Sequence, residues 1–343
     1  MLFVIISKQH LLIHQHYIRA KFFILLLVVF TTSCNQARRS DSGLNSDQII
    51  QLSQRLNSGE EEFLTTNLEL LGKLWGFLKY HHPEIGKGKY DWDDELFQLL
   101  PKYIEISSTE QRDEFLLHWI NKYGEIPVCK TCKDTPADAF LKPDFSWLDE
   151  IKMSALLKAK VIEIYKNRFL GILYYVRVGS NPNFINDKRY LNEKKPNTSL
   201  RLLALYRYWN MVQYFYPYKY LTDTKWDDVL KKYISIFVLA ETALDYQLAV
   251  LQLLSETNDT HSYLFGQYKI DSLRGGKTAP FSTKFVENKF MVDEFFAPYQ
   301  KSLTGLHRGD IITHINGKKI DLLQNQLMVM IITPENLLFV PVP

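Results

Sequence analysis

Two segments of this 343-residue sequence align with each other without a gap, 134 residues apart. The matched pairs, which include tryptophans and a proline, are Trp75/Trp209, Pro83/Pro217, Trp92/Trp226, Leu71/Leu205, Tyr80/Tyr214, Asp93/Asp227 and Asp94/Asp228. Chance does not easily place several tryptophan and proline matches in one register. Two copies are too few for a solenoid, so the repeat predicts a duplicated helical hairpin.

Each copy has the pattern of two helices joined by a loop. Apolar residues recur at helical spacing over residues 70–80 in the first copy and 202–215 in the second. A proline follows each stretch, and the residue before a proline is pushed out of the helical region. The second helix of each copy is therefore expected to begin near Trp92 and near Trp226.

The adjacent aspartates Asp93/Asp94 and Asp227/Asp228 fall in the first turn of these second helices. Carboxylates favour the positive end of a helix dipole, which predicts a capping role in both copies. Paired carboxylates also act as general acids and bases or as metal ligands, but adjacent helical residues do not face each other. We therefore interpret both pairs as structural.

Composition places the chain among ordinary globular proteins and limits its partners. Hydrophobic residues make up 46% and charged residues 23% of the sequence, and the formal net charge is only +3. This balance gives no electrostatic case for nucleic acid as a partner. The length allows two or three domains.

The N-terminus has the pattern of an export signal. Basic residues precede the apolar run 22–30, which is shorter than the roughly 20 residues that cross a bilayer. Small residues then end on Cys34, an arrangement that resembles the lipobox of bacterial lipoproteins. The resemblance implies lipidation of Cys34 and an exported protein anchored to the envelope, facing the periplasm or on the outer membrane. The alternative is an uncleaved anchor, which the extra apolar patch at residues 2–6 favours.

The pair Cys129 and Cys132 lies in a turn region and supports three interpretations: a local disulfide, a redox pair, or half of a zinc site. A structural zinc site needs four ligands, and no second pair of this spacing follows. Outside the cytoplasm a disulfide is the favoured state. No metal site and no cofactor are expected.

From Ala279 the pattern changes from helical to alternating. Residues 281–286 and 290–295 predict two strands, and the Asn316-Gly317 pair is typical of a tight turn. The run Gly-Leu-x-x-Gly-Asp-x-Ile-x-x-Ile-Asn-Gly, which begins at Gly305, resembles the signature of PDZ domains. These domains bind a peptide as an added strand at a sheet edge beside a helix. By element order, the implied peptide-binding residues are Pro280, Phe281, Ser282, Thr283, Leu323 and Leu327, although ordinary core packing is the alternative for both leucines.

Two further segments extend the resemblance over residues 70–320. Residues 201–218 and the element Asn258-Asp259-Thr260-His261-Ser262 resemble the region that precedes the PDZ domain in S41-family serine peptidases, the C-terminal-processing and tricorn-like type found in Bacteroidetes lipoproteins. In that family an α/β core with a nucleophilic serine, in many members activated by a lysine, follows the PDZ domain. No serine or lysine here matches those residues, so we expect a chain truncated before the catalytic core.

The S41 resemblance also implies a role for His261. A histidine near this position contributes to the active site of tricorn-like relatives, which makes His261 the catalytic candidate. The alternative, which we favour, is that the Asp-x-His element ties a helix end to the next loop by hydrogen bonds.

Together these patterns predict a multidomain protein of α plus α+β class: a duplicated helical hairpin region followed by a PDZ-like domain, complete or incomplete. The expected divisions are a lipoprotein signal peptide (1–34), a flexible tether (35–65), helical repeat 1 (66–149), a connector with helix and strand (150–198), helical repeat 2 (199–270) and the PDZ-like domain (278–343).

The predicted function is that of an S41-type serine endopeptidase homologue with a peptide-binding module, inactive as this chain. The alternative is a non-catalytic, membrane-anchored peptide-binding or adaptor lipoprotein, and a purely structural helical protein is a third possibility. The expected partners are peptide or protein C-terminal tails, together with the membrane through the lipid on Cys34, and no nucleic acid.

Overall fold

The computed structural model describes residues 43–327, apart from residues 137, 140–142, 180, 191–192, 194, 260–261, 263, 275 and 277. The helices of this part are α1 (Ser46–Leu56), α2 (Glu61–His81), α3 (Trp92–Tyr103), α4 (Thr109–Asn121), α5 (Trp147–Glu150), α6 (Ala155–Lys166), α7 (Thr198–Phe215), α8 (Trp226–Val238), α9 (Ala243–Ser255), α10 (Tyr268–Arg274), α11 (Pro298–Thr304) and α12 (Ile320–Leu327), with a 3₁₀ helix at Lys219–Leu221. None of these helices combines the length and the apolar character needed to cross a bilayer.

The strands form three small antiparallel sheets within the described residues. They are β1 (Val176–Arg177), β2 (Asn183–Phe184), β3 (Phe281–Val286), β4 (Lys289–Phe295), β5 (Ile311–Ile312), β6 (His314–Ile315) and β7 (Lys318–Lys319). β1 pairs with β2, β3–β4–β5 form one sheet in that order, and β6 pairs with β7. The architecture is therefore a mixed one, a helical body followed by a small β-rich unit.

The helices of the two matched segments begin and end at the same spacing. α2 and α7 end at His81 and Phe215, α3 and α8 begin at Trp92 and Trp226, and α4 and α9 span equivalent positions. α4 and α9 also have equivalent hydroxyl N-caps, from Ser108 and Thr242. The matched spacing of helix bounds thus extends over three helices in each segment.

Two pairs of tryptophans join the first and second helix of each segment. Trp75 Nε1 donates to the Trp92 carbonyl oxygen at 3.0 Å, and Trp92 Nε1 donates to the Trp75 carbonyl oxygen at 2.9 Å. Trp209 and Trp226 exchange the same two bonds at 2.8 and 3.1 Å. A buried indole N–H needs an acceptor, and each tryptophan meets that need for its partner.

α2 and α7 pack against each other through equivalent positions. A Cβ atom built on Gly72 would lie 2.5 Å from the Tyr206 ring, and one built on Gly76 would lie 1.9 Å from Asn210 Cγ. One turn further on, Tyr80 contacts Tyr214 with ring centroids 5.6 Å apart. Positions that contact their own equivalents are what an isologous, two-fold type of packing produces. The two glycines allow the close approach of the backbones.

Residues 43–65 do not form the flexible tether expected over 35–65. α1 begins with a capping box in which Asn45 and Gln48 exchange side-chain and backbone bonds, and it buries Leu52 and Leu56. Leu44 N also donates to Ser199 Oγ at 2.9 Å. The prediction was wrong because this polar segment also contains a few apolar residues at helical spacing. They form the apolar stripe of a short amphipathic helix, which is buried by contact with the helical body. The rest of the expected tether lies outside the described residues.

Most of the strand expected over residues 170–178 is irregular, and only Val176–Arg177 is in β structure. The backbone of this segment bonds to the end of α2 and the loop that follows it: Phe169 N donates to the His81 carbonyl oxygen and Tyr174 N to that of Gly86, both at 2.9 Å. β-branched and aromatic composition indicated a strand, but these non-local backbone partners prevented one.

The hydrophobic core belongs to the helical body. Its buried residues run from Leu44 to Ile270 and include the four paired tryptophans. In the β-rich unit Phe290 and Val292 are buried apart from that core. The described chain therefore has two regions of unequal internal packing.

Candidate functional sites

The predicted peptide-binding segment forms the start of β3. Phe281 pairs with Phe295 and Thr283 with Val292, and the register shifts between them. Ser282 fills this irregularity, because its Oγ accepts from Glu294 N at 3.2 Å and donates to the Glu294 carbonyl oxygen at 3.3 Å. Pro280 extends the pairing by accepting from Phe296 N at 3.1 Å. Phe281, Ser282 and Thr283 thus lie on β3, and Pro280 directly precedes it.

β3 lies at the edge of its sheet. The order β3–β4–β5 gives it one partner strand within the described part of the chain. An edge strand presents backbone N–H and C=O groups to a further strand. Of the predicted helix neighbours, Leu323 is half-buried on α12, which contacts β7. Leu327 ends that helix, and its side chain lies outside the described residues.

Basic side chains surround one end of the β3–β4 sheet. Lys284 Nζ lies 3.1 Å from Asp293 Oδ2 and Arg308 Nη2 lies 3.2 Å from Asp293 Oδ1. Lys301 and Glu294 join them around a surface cavity of about 390 Å³. Three cations therefore face two carboxylates, a balance that favours an anionic group such as a peptide carboxylate.

The glycines of the PDZ-like run occupy positions that need them. Gly305, Gly309 and Gly317 have φ values of 67°, 96° and 75°, and Asn316 has a φ of 49°. These left-handed conformations are favourable for glycine and tolerated by asparagine. The run therefore specifies backbone turns, which agrees with its interpretation as scaffold.

A buried charge cluster links the two matched segments. In this first charge cluster Arg207 binds Asp93, Tyr190 OH donates to Asp93 Oδ2 at 3.0 Å, and Asp187 lies 2.6 Å from Lys79 Nζ and 3.5 Å from Arg207 Nη2. Burial lowers the pKa of Lys79; the Asp187 carboxylate opposes that effect, and the Arg207 cation adds to it. Two cations thus balance two carboxylates away from water.

A second charge cluster occupies the equivalent place. Lys73 Nζ lies 3.3 Å from Asp227 Oδ1 and 2.9 Å from Glu69 Oε1, and the side chains of Asp227 and Asp144 are hydrogen-bonded. Lys73 and Asp227 stand at the repeat spacing from the Arg207 and Asp93 of the first cluster. In each cluster, the basic residue of one segment therefore binds the aspartate of the other.

The two clusters differ in charge balance at one repeat position. The first has Lys79 where the second has Gln213, which accepts from Lys219 Nζ at 3.0 Å. Lys219 in turn lies 3.8 Å from Asp144 Oδ2, a loose contact compared with that of Lys79. The second cluster also contains Glu69, so its carboxylates outnumber its close cations.

Burial, with the excess of carboxylates as a smaller cause, shifts the pKa values of the second cluster. Burial raises the pKa of Asp227 to about 6, opposed by Lys73 and reinforced by the hydrogen bond with Asp144. Burial alone would raise the pKa of Asp144 as well, but hydrogen bonds from Ser146 and from Asp227 lower it. Below about pH 6 the pair is therefore a carboxylic acid bound to a carboxylate.

A cavity of about 480 Å³ opens beside the first charge cluster. Its walls are mainly apolar and come from the connector and from α7, α8 and α9: Phe184, Ile185, Met211, Phe237, Val250 and Leu253. The charged residues of its lining are Asp187, Lys188, Arg189 and Arg207. Cavities of this size and lining are typical of small-molecule sites.

Cys129 and Cys132 are joined by a disulfide, the favoured one of the three sequence interpretations. The bonded turn is attached to the body because Cys129 N donates to Asn167 Oδ1 at 2.9 Å. The part of the chain that the structure describes contains no cluster of three or more His, Cys, Asp or Glu residues suited to a metal ion.

Two predicted residues, the lipidation candidate Cys34 and the catalytic candidate His261, lie outside the described residues. The neighbours of His261 form a hydrogen-bonded turn. Ser262 N donates to the Asp259 carbonyl oxygen at 2.9 Å, and the buried Ser262 hydroxyl lies 3.5 Å from Thr257 Oγ1 at the end of α9. These bonds tie the helix end to the loop.

Sequence reasoning missed the charge clusters. Asp94 lies in the first turn of α3 as predicted, but the capping side chain is that of Asp91, whose Oδ1 accepts from Asp94 N at 3.3 Å, and Asp93 is buried against Arg207. The connector, predicted as a spacer, supplies Asp187 and Tyr190. One signal was present: Lys73 and Arg207 are cations at equivalent positions on apolar helix faces.

Comparison with family models, curated proteins and solved structures gave no match to this chain.

Proposed function

We propose that this protein is an exported, lipid-anchored peptide-binding protein, related to S41 peptidases, that holds the C-terminal tails of other polypeptides against β3. The observation that carries the proposal is the position of β3 at a sheet edge, beside the basic group of Lys284, Lys301 and Arg308. The edge would accept the peptide backbone, and the cations would accept its terminal carboxylate. The PDZ-like run supplies the turns of this unit.

The proposal includes a duplicated helical unit in the body of this protein. Its support is the recurrence of helix boundaries, reciprocal tryptophan bonds and crossed ion pairs at one repeat spacing. In this proposal the helical body is a rigid support for the peptide-binding unit. The alternative in which the whole chain is purely structural does not account for the edge strand and its basic surroundings.

Export is proposed from the N-terminal pattern and supported by the disulfide, because such bonds persist in oxidising compartments. Lipidation at Cys34 is tested by Cys34→Ser. We expect the variant to leave the membrane fraction or to accumulate as a precursor. If the variant instead stayed membrane-bound at the same mass as the wild-type protein, lipidation of Cys34 would be contradicted.

Peptide binding is tested with fluorescent decapeptides that end in Ala, Val, Leu or Phe, each with a free or an amidated C-terminus. We expect the free forms to bind the full chain at least about tenfold more tightly, because amidation removes the charge-assisted bonds. The double variant Lys284→Glu with Arg308→Glu should abolish this difference. Thr283→Pro should weaken both forms, since proline disrupts an edge strand.

Lys289→Glu with Lys318→Glu is the matched control, because both lysines are exposed, one on β4 and one on β7, and both lie outside the basic cavity. It should leave binding unchanged. Equal affinity for free and amidated peptides, or equal loss in both double variants, would contradict the proposal. Cleavage of an unfolded protein by the full chain, abolished by His261→Ala, would instead assign peptidase activity.

A further inference from the structure

We infer that the cavity beside the first charge cluster is a binding site for a small, neutral, largely apolar molecule that carries a hydrogen-bond donor. Its location between the connector and α7, α8 and α9 separates it from the peptide-binding edge proposed above. The inference depends on the shape of the cavity, on one buried carboxylate oxygen and on the charge balance around it.

The buried carboxylate is that of Asp187, which lines the cavity. Its Oδ1 atom faces Lys79 Nζ at 2.6 Å and Arg207 Nη2 at 3.5 Å. Its Oδ2 atom is buried and has no hydrogen-bond donor among the described residues. A buried polar atom without a hydrogen-bond partner costs free energy, and a donor on a bound molecule would remove that cost.

The charges around Asp187 favour a neutral ligand. Lys79 and Arg207 are balanced by Asp93 and Asp187, so the charge cluster around Asp187 has no net charge to hold an anion. Lys188 and Arg189 also line the cavity, and Lys188 is paired with Asp91. A cationic ligand would compete with Lys79 for the same carboxylate. A hydroxyl or amide N–H meets the open oxygen without disturbing this balance.

The equivalent place in the second charge cluster provides a comparison within the molecule. There the side chains of Asp144 and Asp227 are hydrogen-bonded, and Asp227 Oδ1, which also has no hydrogen-bond donor among the described residues, lies 3.3 Å from Lys73 Nζ. Of these two open carboxylate oxygens, that of Asp187 belongs to a residue that lines the cavity. The rest of the ligand would lie against the apolar walls, where Met211, Phe237 and Val250 remove it from water.

Three naphthalenes of similar shape test the inference on the full chain held in lipid nanodiscs, with empty nanodiscs as the blank. They are 2-naphthalenemethanol, which has a donor, 2-methoxynaphthalene, which has none, and 2-naphthoate, which is an anion. By isothermal titration we expect the alcohol to bind about tenfold more tightly than the ether, with the anion weakest. Tightest binding by the anion, or no binding by any of the three, would overturn the inference.

Two variants locate the site. In Asp187→Asn the side-chain oxygen would still face Lys79, and the amide NH₂ would face the cavity. The cavity would then offer a donor instead of an acceptor, so 2-methoxynaphthalene should bind more tightly than 2-naphthalenemethanol. Ala204→Phe, which fills the cavity from α7, should remove binding of all three compounds, and it decides the outcome if Asp187→Asn does not fold. Ala155→Phe, at an exposed position of α6, is the control and should bind like the wild type. Unchanged binding in folded Ala204→Phe would overturn the inference.

Discussion

At the scale of single residues, the contact between α2 and α7 depends on two positions without side chains. Gly72 and Gly76 lie one turn apart and face Tyr206 and Asn210. Asn210 is fully buried, and its Nδ2 donates to the Gly72 carbonyl oxygen at 3.0 Å. A glycine inside a helix normally weakens it, so the gain here comes from the close approach of the two helices.

Gly76→Ala should therefore destabilise the protein. The new Cβ atom would lie 1.9 Å from Asn210 Cγ, which forces the buried amide away from its acceptor. Overpacking of this kind costs about 1–3 kcal/mol in the free energy of unfolding, measured by urea denaturation. Gly59→Ala is the control, since nothing lies within 4 Å of its Cβ, and it should change stability by less than about 0.5 kcal/mol. Equal effects of the two substitutions would contradict this account.

Asp227 should give the protein a component of stability that is lost as pH rises. Its pKa is raised by burial to about 6, above the value of an unfolded aspartate. Stability from such a group is fully present below about pH 4 and is lost as pH rises through 6. Asp227→Asn removes this component, so the stability of the variant relative to wild type should improve by about 3 kcal/mol between pH 4 and pH 8.

Two buried histidines also make the stability of the protein depend on pH, so the effect of Asp227 has to be measured as the difference between variant and wild type. Burial lowers the pKa values of His81 and His82 to about 4, so their contribution is present above pH 6.5 and is lost as pH falls. Because both histidines remain in Asp227→Asn, their effect cancels in the comparison with wild type. A stability difference that does not change with pH would contradict the raised pKa of Asp227.

At the scale of helices, the reciprocal tryptophan bonds hold each second helix at a defined position along the first. Both indole N–H groups in a pair point at the backbone of the other helix rather than at a side chain. The bonds therefore fix the position of the backbone, which composition alone does not. The proline after α2 and α7 ends each helix and frees the chain to return to this contact.

Trp92→Phe and Trp226→Phe should have similar costs. Each removes one indole donor and leaves a buried carbonyl oxygen, of Trp75 or Trp209, without that partner. The expected loss is about 1–3 kcal/mol in the free energy of unfolding for either variant. Denaturant titrations that show a loss in one copy and none in the other would mean that the two tryptophan pairs are not equivalent in energy.

At the scale of the whole molecule, the helical body carries the core and the β-rich unit depends on few buried residues. The core runs from Leu44 to Ile270, whereas Phe290 and Val292 are buried outside it. Several aromatic and aliphatic side chains of the β-rich unit are exposed, among them Phe296, Tyr299 and Leu303. This distribution predicts two regions of different stability.

Truncation after Gly276 should leave the unfolding of the helical body unchanged. No core residue lies beyond Ile270 in the described chain, so removal of the β-rich unit takes away no buried contact of that cluster. Thermal unfolding followed by circular dichroism at 222 nm should give the same midpoint as the full chain. A large drop in midpoint, or loss of the cooperative transition, would show that the two regions stabilise each other.

Features that depend on neighbouring residues could be predicted from the sequence. The apolar period and the proline located α2 and α7, the tryptophan match located α3 and α8, and alternation located β3 and β4. The Asn316-Gly317 turn followed from residues that tolerate positive φ. Such features depend on contacts a few residues apart, which the order of residue types determines directly.

Features that depend on distant partners were decided by the tertiary structure alone. The sequence contains Lys73, Asp93, Arg207 and Asp227, but only folding brings the basic residue of each segment to the aspartate of the other. The same is true of Asp187, which reaches Lys79 across 108 residues of sequence. Burial is what gives these charges their partners and their shifted pKa values, and burial is a property of the packed molecule. The sequence by itself therefore determined the helices and turns, whereas the charge clusters and the cavity arose when distant segments packed together.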